Sequence, residues 1–237
     1  MRVLVIPDIH LKPWIFDKAE DILKESGADK AVCLMDIPDD WGMEPHIDRY
    51  EEVFDRAIGF SKDHPETLWC YGNHDISYLW HKLETGYSPY AEATVRRKLK
   101  ELEWGLPDYQ QMAFVHRIGN VIFLHGGIID RYISYLDKDL MDADIDDVIQ
   151  AINDAAQSQL WIDISPLWYR PQYSSAAGFR SDRFTQVVGH TPVQEIHERN
   201  GFVSTDVFST YQSGFQIGES KMIVIDTKTG RYKKYPV

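Results

Sequence analysis

Five short apolar runs in this chain each end in side chains that can ligate a metal. They are Val3-Leu4-Val5-Ile6-Pro7-Asp8-Ile9-His10, Ala31-Val32-Cys33-Leu34-Met35-Asp36, Thr67-Leu68-Trp69-Cys70-Tyr71 with Gly72-Asn73-His74-Asp75 behind it, Val121-Ile122-Phe123-Leu124-His125-Gly126-Gly127 and Val187-Val188-Gly189-His190-Thr191-Pro192. Runs of this length and make-up read as buried strands. In an α/β sheet, ligands bind just outside the carboxyl ends of the strands. Five strand ends that deliver Asp, Asn or His can therefore converge on one place. Carboxylate oxygen, amide oxygen and imidazole nitrogen together suit manganese, iron or zinc, and a single Asp can bridge two ions.

The spacing of the remaining segments says how such strands are joined. Trp14 to Ser26 carries Ile15, Ala19, Ile22 and Leu23 on one face and stops at Gly27, so it reads as a helix. A second helix is expected at about His46 to Asp63. The resulting β-α-β-α-β order predicts parallel strands with right-handed crossovers. A helix with a basic patch is expected at Ser88 to Glu103. A hairpin around Gly119-Asn120, from Met112 to Leu124, marks where a second sheet begins. Asp130 to Gln159 reads as helical and acidic. Its spacing does not match a calcium-binding loop, and it reads as a solvated insertion with the character of a lid. Ser165 to Arg183 reads as loop. Short strands are expected near Gln186 to Val188, Gln194 to His197, Phe202 to Ser204, Met222 to Asp226 and Tyr232 to Tyr235.

With 237 residues, of which 43% are hydrophobic, the chain can bury a sizeable core and is the size of one large α/β domain. No run approaches the roughly 18 apolar residues of a membrane span. The N-terminal apolar run is too short for a signal peptide, and the protein is expected to be cytoplasmic. Cys33 and Cys70 fall inside expected strands and read as buried free thiols. The net charge of −12 argues against non-specific nucleic-acid binding. It also sets a problem for a phosphate substrate, which bound cations would solve by reversing the local sign.

Two cations sharing a carboxylate lower the pKa of a water and clamp phosphoryl oxygens for in-line displacement. Such a reaction also needs a proton donor for the leaving oxygen, and His74 is the candidate. Asp39 can hold it in the donating state. Arg170 can bind phosphate bidentately, and it is the candidate cation for the remaining oxygens. His46, His64, His81, His116 and His197 lack the strand-end context and read as structural or surface residues.

At these residues the chain resembles the calcineurin-like metallophosphoesterases. The marks are Asp8-Ile9-His10, Asp36 with Asp39, Gly72-Asn73-His74-Asp75, His125-Gly126-Gly127 and Gly189-His190-Thr191. Gly-His-Thr, rather than Gly-His-x-His, is similar to the phosphoprotein phosphatase branch, which includes bacterial and phage Ser/Thr phosphatases and symmetrical diadenosine tetraphosphatases. The resemblance covers nearly the whole chain. It implies an α/β fold in which a two-sheet β-sandwich is flanked by helices in four αββα layers, as a single domain over 1–237 with the acidic helical insertion at about 130–180. It implies one metal held by Asp8, His10 and Asp36, and a second held by Asp36, Asn73, His125 and His190. His74 and Asp39 would be the acid pair, with Arg170 and Asn73 on the substrate. The two ions would be divalent or trivalent, with manganese expected and iron or zinc alternatives.

The implied activity is hydrolysis of a phosphomonoester by a metal-activated water. Alternatives are a phosphodiesterase, a dinucleoside polyphosphate hydrolase or an inactive scaffold. The substrate would be a phosphorylated small molecule, nucleotide or protein. Three departures from the family pattern stand out. Met35 and Leu11 occupy positions that are usually Gly. The loop Asp36-Ile37-Pro38-Asp39-Asp40-Trp41-Gly42 has an acid where an arginine usually helps to grip phosphate. Lys12, Arg180 and Arg183 are the candidates to replace that arginine.

Overall fold

A computed structural model describes residues 1–237. The first sheet is built on the expected parallel core. Strands β1 (Arg2–Ile6), β2 (Lys30–Cys33), β3 (Leu68–Cys70) and β4 (Met112–Ala113) run parallel. The final hairpin, β10 (Lys221–Asp226) and β11 (Tyr232–Pro236), adds antiparallel strands beside β1, giving the order β11-β10-β1-β2-β3-β4. The second sheet has the order β5-β6-β7-β9-β8, from Val115–Ile118, Val121–Leu124, Thr185–Val188, Phe202–Ser204 and His197–Arg199.

Strand β6 shows why this is a sandwich with helices outside. Its side chains alternate between faces, as any strand's must. Val121 and Phe123 join Val3, Val5 and Val32 in the core between the sheets. Ile122 and Leu124 point the other way, into a second apolar cluster under the helices that follow. On the outer side of the first sheet lie α1 (Trp14–Ser26), α2 (Ile47–Asp63) and α4 (Glu92–Gly105). Helix α1 ends where the sequence places its stop: Gly27 is left-handed (φ 62°), and its N–H donates to the Leu23 carbonyl.

Two expectations need correction. The strand expected at Gln194 to His197 lies three residues later, at His197–Arg199. Asn200 and Gly201 both have positive φ, as a two-residue hairpin turn requires, and this turn pairs Arg199 with Phe202 and His197 with Ser204. The stretch from Asp130 is not one helix. It breaks into α5 (Asp130–Leu136), a 3₁₀ turn (Lys138–Met141), α6 (Ile145–Asn153) and α7 (Gln157–Leu160). The breaks fall where Asp137 and Asp144 accept the backbone N–H of Asp139 and Asp146 and start new turns.

This segment is solvated only on its outer side. Ile145, Val148, Ile149 and Ile152 of α6 pack into the second cluster. Asn153 bonds the backbone of Phe114 and Val115, Arg117 forms a fork with Asp146, and Arg180 donates to the carbonyls of Met141 and Ala143. A segment so tied is part of the core rather than a lid. Ile152→Ala is therefore expected to cost about 2–5 kcal/mol in urea unfolding, as a buried isoleucine does. A loss within about 0.5 kcal/mol would place α6 among freely solvated elements.

Candidate metal centre and active site

The five strand-end motifs meet at the carboxyl ends of β1, β2, β3, β6 and β7, which come from both sheets. Asp8, Asp36, Asn73, His125 and His190 are all buried there, and His10 is half-buried. The ligand atoms of Asp8, His10 and Asp36 lie within 4.8 Å of one another, and so do those of Asp36, His125 and His190. Asp36 belongs to both groups.

The hydrogen bonds leave lone pairs facing lone pairs. His125 Nδ1 lies 3.1 Å from the Leu34 carbonyl, to which it donates, so in the neutral ring Nε2 carries the lone pair. That Nε2 sits 3.1 Å from Asp36 Oδ2 and 3.0 Å from Asn73 Oδ1. His10 is arranged alike: Nδ1 donates to the Asp39 carbonyl at 2.9 Å, and Nε2 faces Asp36 Oδ2 at 4.0 Å. Asp8 Oδ2 accepts the backbone N–H of His190 at 2.8 Å, while Asp8 Oδ1 and His190 Nε2 are buried without a partner. Convergent acceptors with unpartnered buried atoms are what a cation site requires, and the donor set fits two such ions.

The electrostatics tell the same story. Burial pushes Asp8 well above the ordinary carboxylate range, helped by Asp206 and Asp36. Burial alone would raise Asp36 too, but His125, His74 and His10 hold it far below that range. Burial works against charge on His125, yet Asp36 and Asp8 lift it to about 9. With only protein charges present, a proton takes the place that a cation would fill.

Backbone shape brings the ligands this close. His10, Leu11, Met35, Asp36, Asp39 and His190 all have positive φ, between 42° and 67°. Leu11 and Met35 are two of the three departures from the family pattern. Each adopts the conformation that glycine takes freely, held by the bonds of His10 N–H to Asp36 O and Leu11 N–H to Ile37 O. Glycine is kept where space demands it. A Cβ on Gly72 would sit 2.0 Å from Asp36 Oδ1, and one on Gly189 would sit 2.0 Å from Asp8 Oδ1.

His74 lies in the first turn of helix α3 (Asn73–Trp80). Its backbone N–H donates to Asp36 Oδ1 at 2.9 Å, and its Nδ1 donates to Asp39 Oδ2, also at 2.9 Å. Burial opposes its charge, but Asp36 and the bond to Asp39 lift it to about 9. The other oxygen of Asp39 accepts hydroxyls from Tyr50 at 3.1 Å and Tyr78 at 2.5 Å. Arg170 lies at the edge of the same cleft, where Nη1 donates to the His190 carbonyl and Thr191 Oγ1.

Three residues in the centre were given no role from the sequence, although Asp75 closes the Gly72-Asn73-His74-Asp75 motif. Asp75 is fully buried and accepts the N–H groups of Asp36, Ile37 and Gly72, fixing the bridging carboxylate's backbone. Asp206 is buried in the cleft wall and bonds Ser209; burial lifts it to about 6, helped by Asp36. Its signal was available, since Phe202-Val203-Ser204-Thr205-Asp206 is a sixth strand ending in a carboxylate. Tyr78 carried no such signal.

None of the three substitute cations reaches the cleft floor. Lys12 Nζ donates to Asp40 Oδ2 at 2.8 Å and to the His10 carbonyl. Arg180 is spent on α6, and Arg183 lies over the Phe184 ring. The five histidines set aside stay outside the cleft.

Residues 1–217 match the calcineurin-like phosphoesterase family, and the chain belongs to it. It is a metal-dependent phosphoric ester hydrolase, acting on phosphorylated substrates. Members of the family use a dinuclear metal centre. No curated protein matches the chain. Among solved structures it is similar to a cold-active protein-tyrosine phosphatase of a psychrophilic Shewanella species, with 17% identity, a TM-score of 0.60, and 98% of this chain and 80% of that one covered. A further structure of a cold-active protein tyrosine phosphatase gives 17% identity and a TM-score of 0.55 over 98% of this chain and 78% of that one. A hypothetical protein of Pyrococcus horikoshii OT3 gives 15% identity and a TM-score of 0.47, over 100% and 87%. At such identities the likeness concerns the fold. No helix is long and apolar enough to cross a membrane.

The packing of Gly72 on Asp36 yields a test that needs no substrate. Gly72→Ala should displace the Asp36 carboxylate, and the purified protein should lose most of its bound metal in elemental analysis. Gly105→Ala, where a Cβ meets nothing within 4 Å, is the control that should keep it.

Proposed function

We propose that the chain is a dinuclear metallophosphatase that hydrolyses a phosphomonoester, with residues 1–237 forming one catalytic domain. Asp8, His10 and Asp36 would hold one ion, and Asp36, Asn73, His125 and His190 the other. Manganese is the expected metal, and iron and zinc also suit these donors. When bound, the ions supply charge for the phosphoryl oxygens and lower the pKa of a water. Two buried free cysteines, Cys33 and Cys70, agree with a reducing cytoplasm.

The observation that carries this reading is the pairing of His74 with Asp39 beside the ligand cluster. In the reaction a water oxygen bonds to phosphorus and the P–O bond to the alcohol breaks. His74 gives its proton to the departing alkoxide oxygen, the attacking water releases one to solvent on the far side of phosphorus, and His74 is reprotonated from solvent, so the products are the alcohol and hydrogen phosphate. Asp39 keeps the imidazole charged and oriented until that transfer. Arg170 and Asn73 hold the phosphoryl oxygens against the floor.

Purified protein with manganese should turn over aryl and alkyl phosphates faster than bis-aryl diesters, dinucleoside polyphosphates or a phosphopeptide diester mimic. His74→Asn should lower kcat about 10²–10⁴-fold. Diester turnover exceeding monoester turnover would reverse the assignment, and no turnover above the His74→Asn background would leave a scaffold.

The tyrosines behind Asp39 generate a second expectation. Tyr78→Phe removes one hydroxyl from Asp39 and should weaken proton delivery, so the loss in kcat should be greater for propyl phosphate than for p-nitrophenyl phosphate. Equal losses on both would assign Tyr78 to packing alone.

A further inference from the structure

The cleft above the ligand cluster has a volume of about 450 Å³. Its charges are distributed unevenly. Arg170 is the only lysine or arginine in its wall, against Asp36, Asp39, Asp40, Glu84 and Asp206. Four of these carboxylates are spoken for. Asp36 and Asp206 face the ligand cluster, Asp39 is bonded to His74, and Asp40 is bonded to Lys12 and Thr210. Glu84 is different. Its carboxylate accepts only the N–H of the next residue, Thr85, and forms no ion pair. Lys82, two residues earlier, is exposed and lies outside the cleft.

The turn that carries Glu84 is fixed over the proton donor. A side chain at Gly86 would come within 3.5 Å of Asp39 Cβ and 3.9 Å of His74 Cε1. Behind the turn, Tyr87 stacks on Tyr78 with ring centroids 4.4 Å apart, and the Ser88 N–H donates to the Tyr78 hydroxyl at 2.8 Å. The same cleft is also lined by the aromatic rings of Trp41 and Tyr211, and the Trp41 indole is anchored to the Thr210 carbonyl at 2.9 Å. The leaving oxygen must lie beside His74. The alcohol attached to it therefore extends into a cleft whose lining includes an unpaired carboxylate and two aromatic rings.

We infer that this site selects phosphomonoesters whose alcohol carries a cationic amine, and that Glu84 is the residue that makes the selection. The inference rests on the phosphatase reading above. An ammonium group here gains a carboxylate partner and an aromatic face, both of which attract cations. A second phosphate or a carboxylate on the alcohol meets Glu84 with no cation to receive it, which disfavours polyphosphates and other polyanions. The acid at position 40 works in the same direction, since it consumes Lys12 where the family pattern has a free arginine.

The test compares 2-aminoethyl, propyl and carboxymethyl phosphate with manganese present, using p-nitrophenyl phosphate as a general assay. In the wild-type protein kcat/KM should fall in that order, with the aminoethyl ester about two- to fivefold above the propyl ester, as a partly exposed ion pair provides. Glu84→Gln should bring that ratio close to one, and Glu84→Lys should raise the carboxymethyl ester above the aminoethyl ester. An aminoethyl-to-propyl ratio that is the same in wild type and Glu84→Gln overturns the inference, as does a wild-type preference for the carboxymethyl ester. Turnover of p-nitrophenyl phosphate with no such preference leaves the phosphatase reading intact while this one fails. No turnover of any of the four esters removes both.

Discussion

Asp36 cannot be where it is without company. It is a carboxylate withdrawn from water, and Asp8, Asp75 and Asp206 are buried around it. Removing one ion from water costs several kcal/mol even after relaxation, and neighbouring charges of the same sign add to that. The protein answers part of the cost with backbone donors: His74 N–H on Asp36, His190 N–H on Asp8, and three N–H groups on Asp75. It answers another part with imidazoles. What it leaves unanswered is the inward set of lone pairs on His125, His10, His190, Asp36, Asp8 and Asn73. A pair of cations is the charge that completes such a set, so the need for metal follows from burial before any chemistry is considered.

That burial is reached through backbone that few residues tolerate. The loops after β1, β2 and β7 turn so sharply that His10, Leu11, Met35, Asp36 and His190 lie in the left-handed region. Each such residue costs of order 1–3 kcal/mol and persists only where its surroundings over-determine it. Here the loops brace one another: His10 N–H on Asp36 O, Leu11 N–H on Ile37 O, His10 Nδ1 on Asp39 O. The apolar side chains of Met35 and Leu11 are buried, which gives them a packing role that glycine could not fill. Strain and ligand placement are two descriptions of the same loops.

The loop that departs most from the family pattern shows how a local change alters a whole surface. Asp40 in place of an arginine reverses a charge at the cleft. Lys12 turns to meet it, and Thr210 and Trp41 tie that corner to the loop after β9. On the proposed reading, phosphate is left to Arg170 and to whatever the ligand cluster holds. The cleft is lined by acidic and aromatic side chains with a single arginine, a surface suited to different alcohols from those that a two-arginine cleft would accept.

The metal-type residues were legible in the sequence because strand ends carry position with them. A run of alternating apolar side chains fixes a strand, and the residue after it lies at the sheet's carboxyl edge, so five such ends could be assigned to one place before any coordinates were known. Helix α1 and its Gly27 stop were legible for similarly local reasons. Asp206 was readable by the same rule. The hairpin at Asn200-Gly201 was readable too, from its turn chemistry. Asp75 was visible as the end of the Gly72-Asn73-His74-Asp75 motif but its role was not, and Tyr50, Tyr78 and Glu84 were not readable at all. Each matters only through what it touches, and Tyr78 reaches the loop residue Asp39 from the same helix that carries His74, one turn further on. Likewise the sequence shows that 130–160 is acidic and helical, but not that α6 turns its isoleucines onto the second sheet. Short-range order is written along the chain, one residue after another. Which carboxylate remains unpaired, and which hydroxyl steadies another side chain, is settled by distance in space, and that exists only once the two sheets have closed on each other.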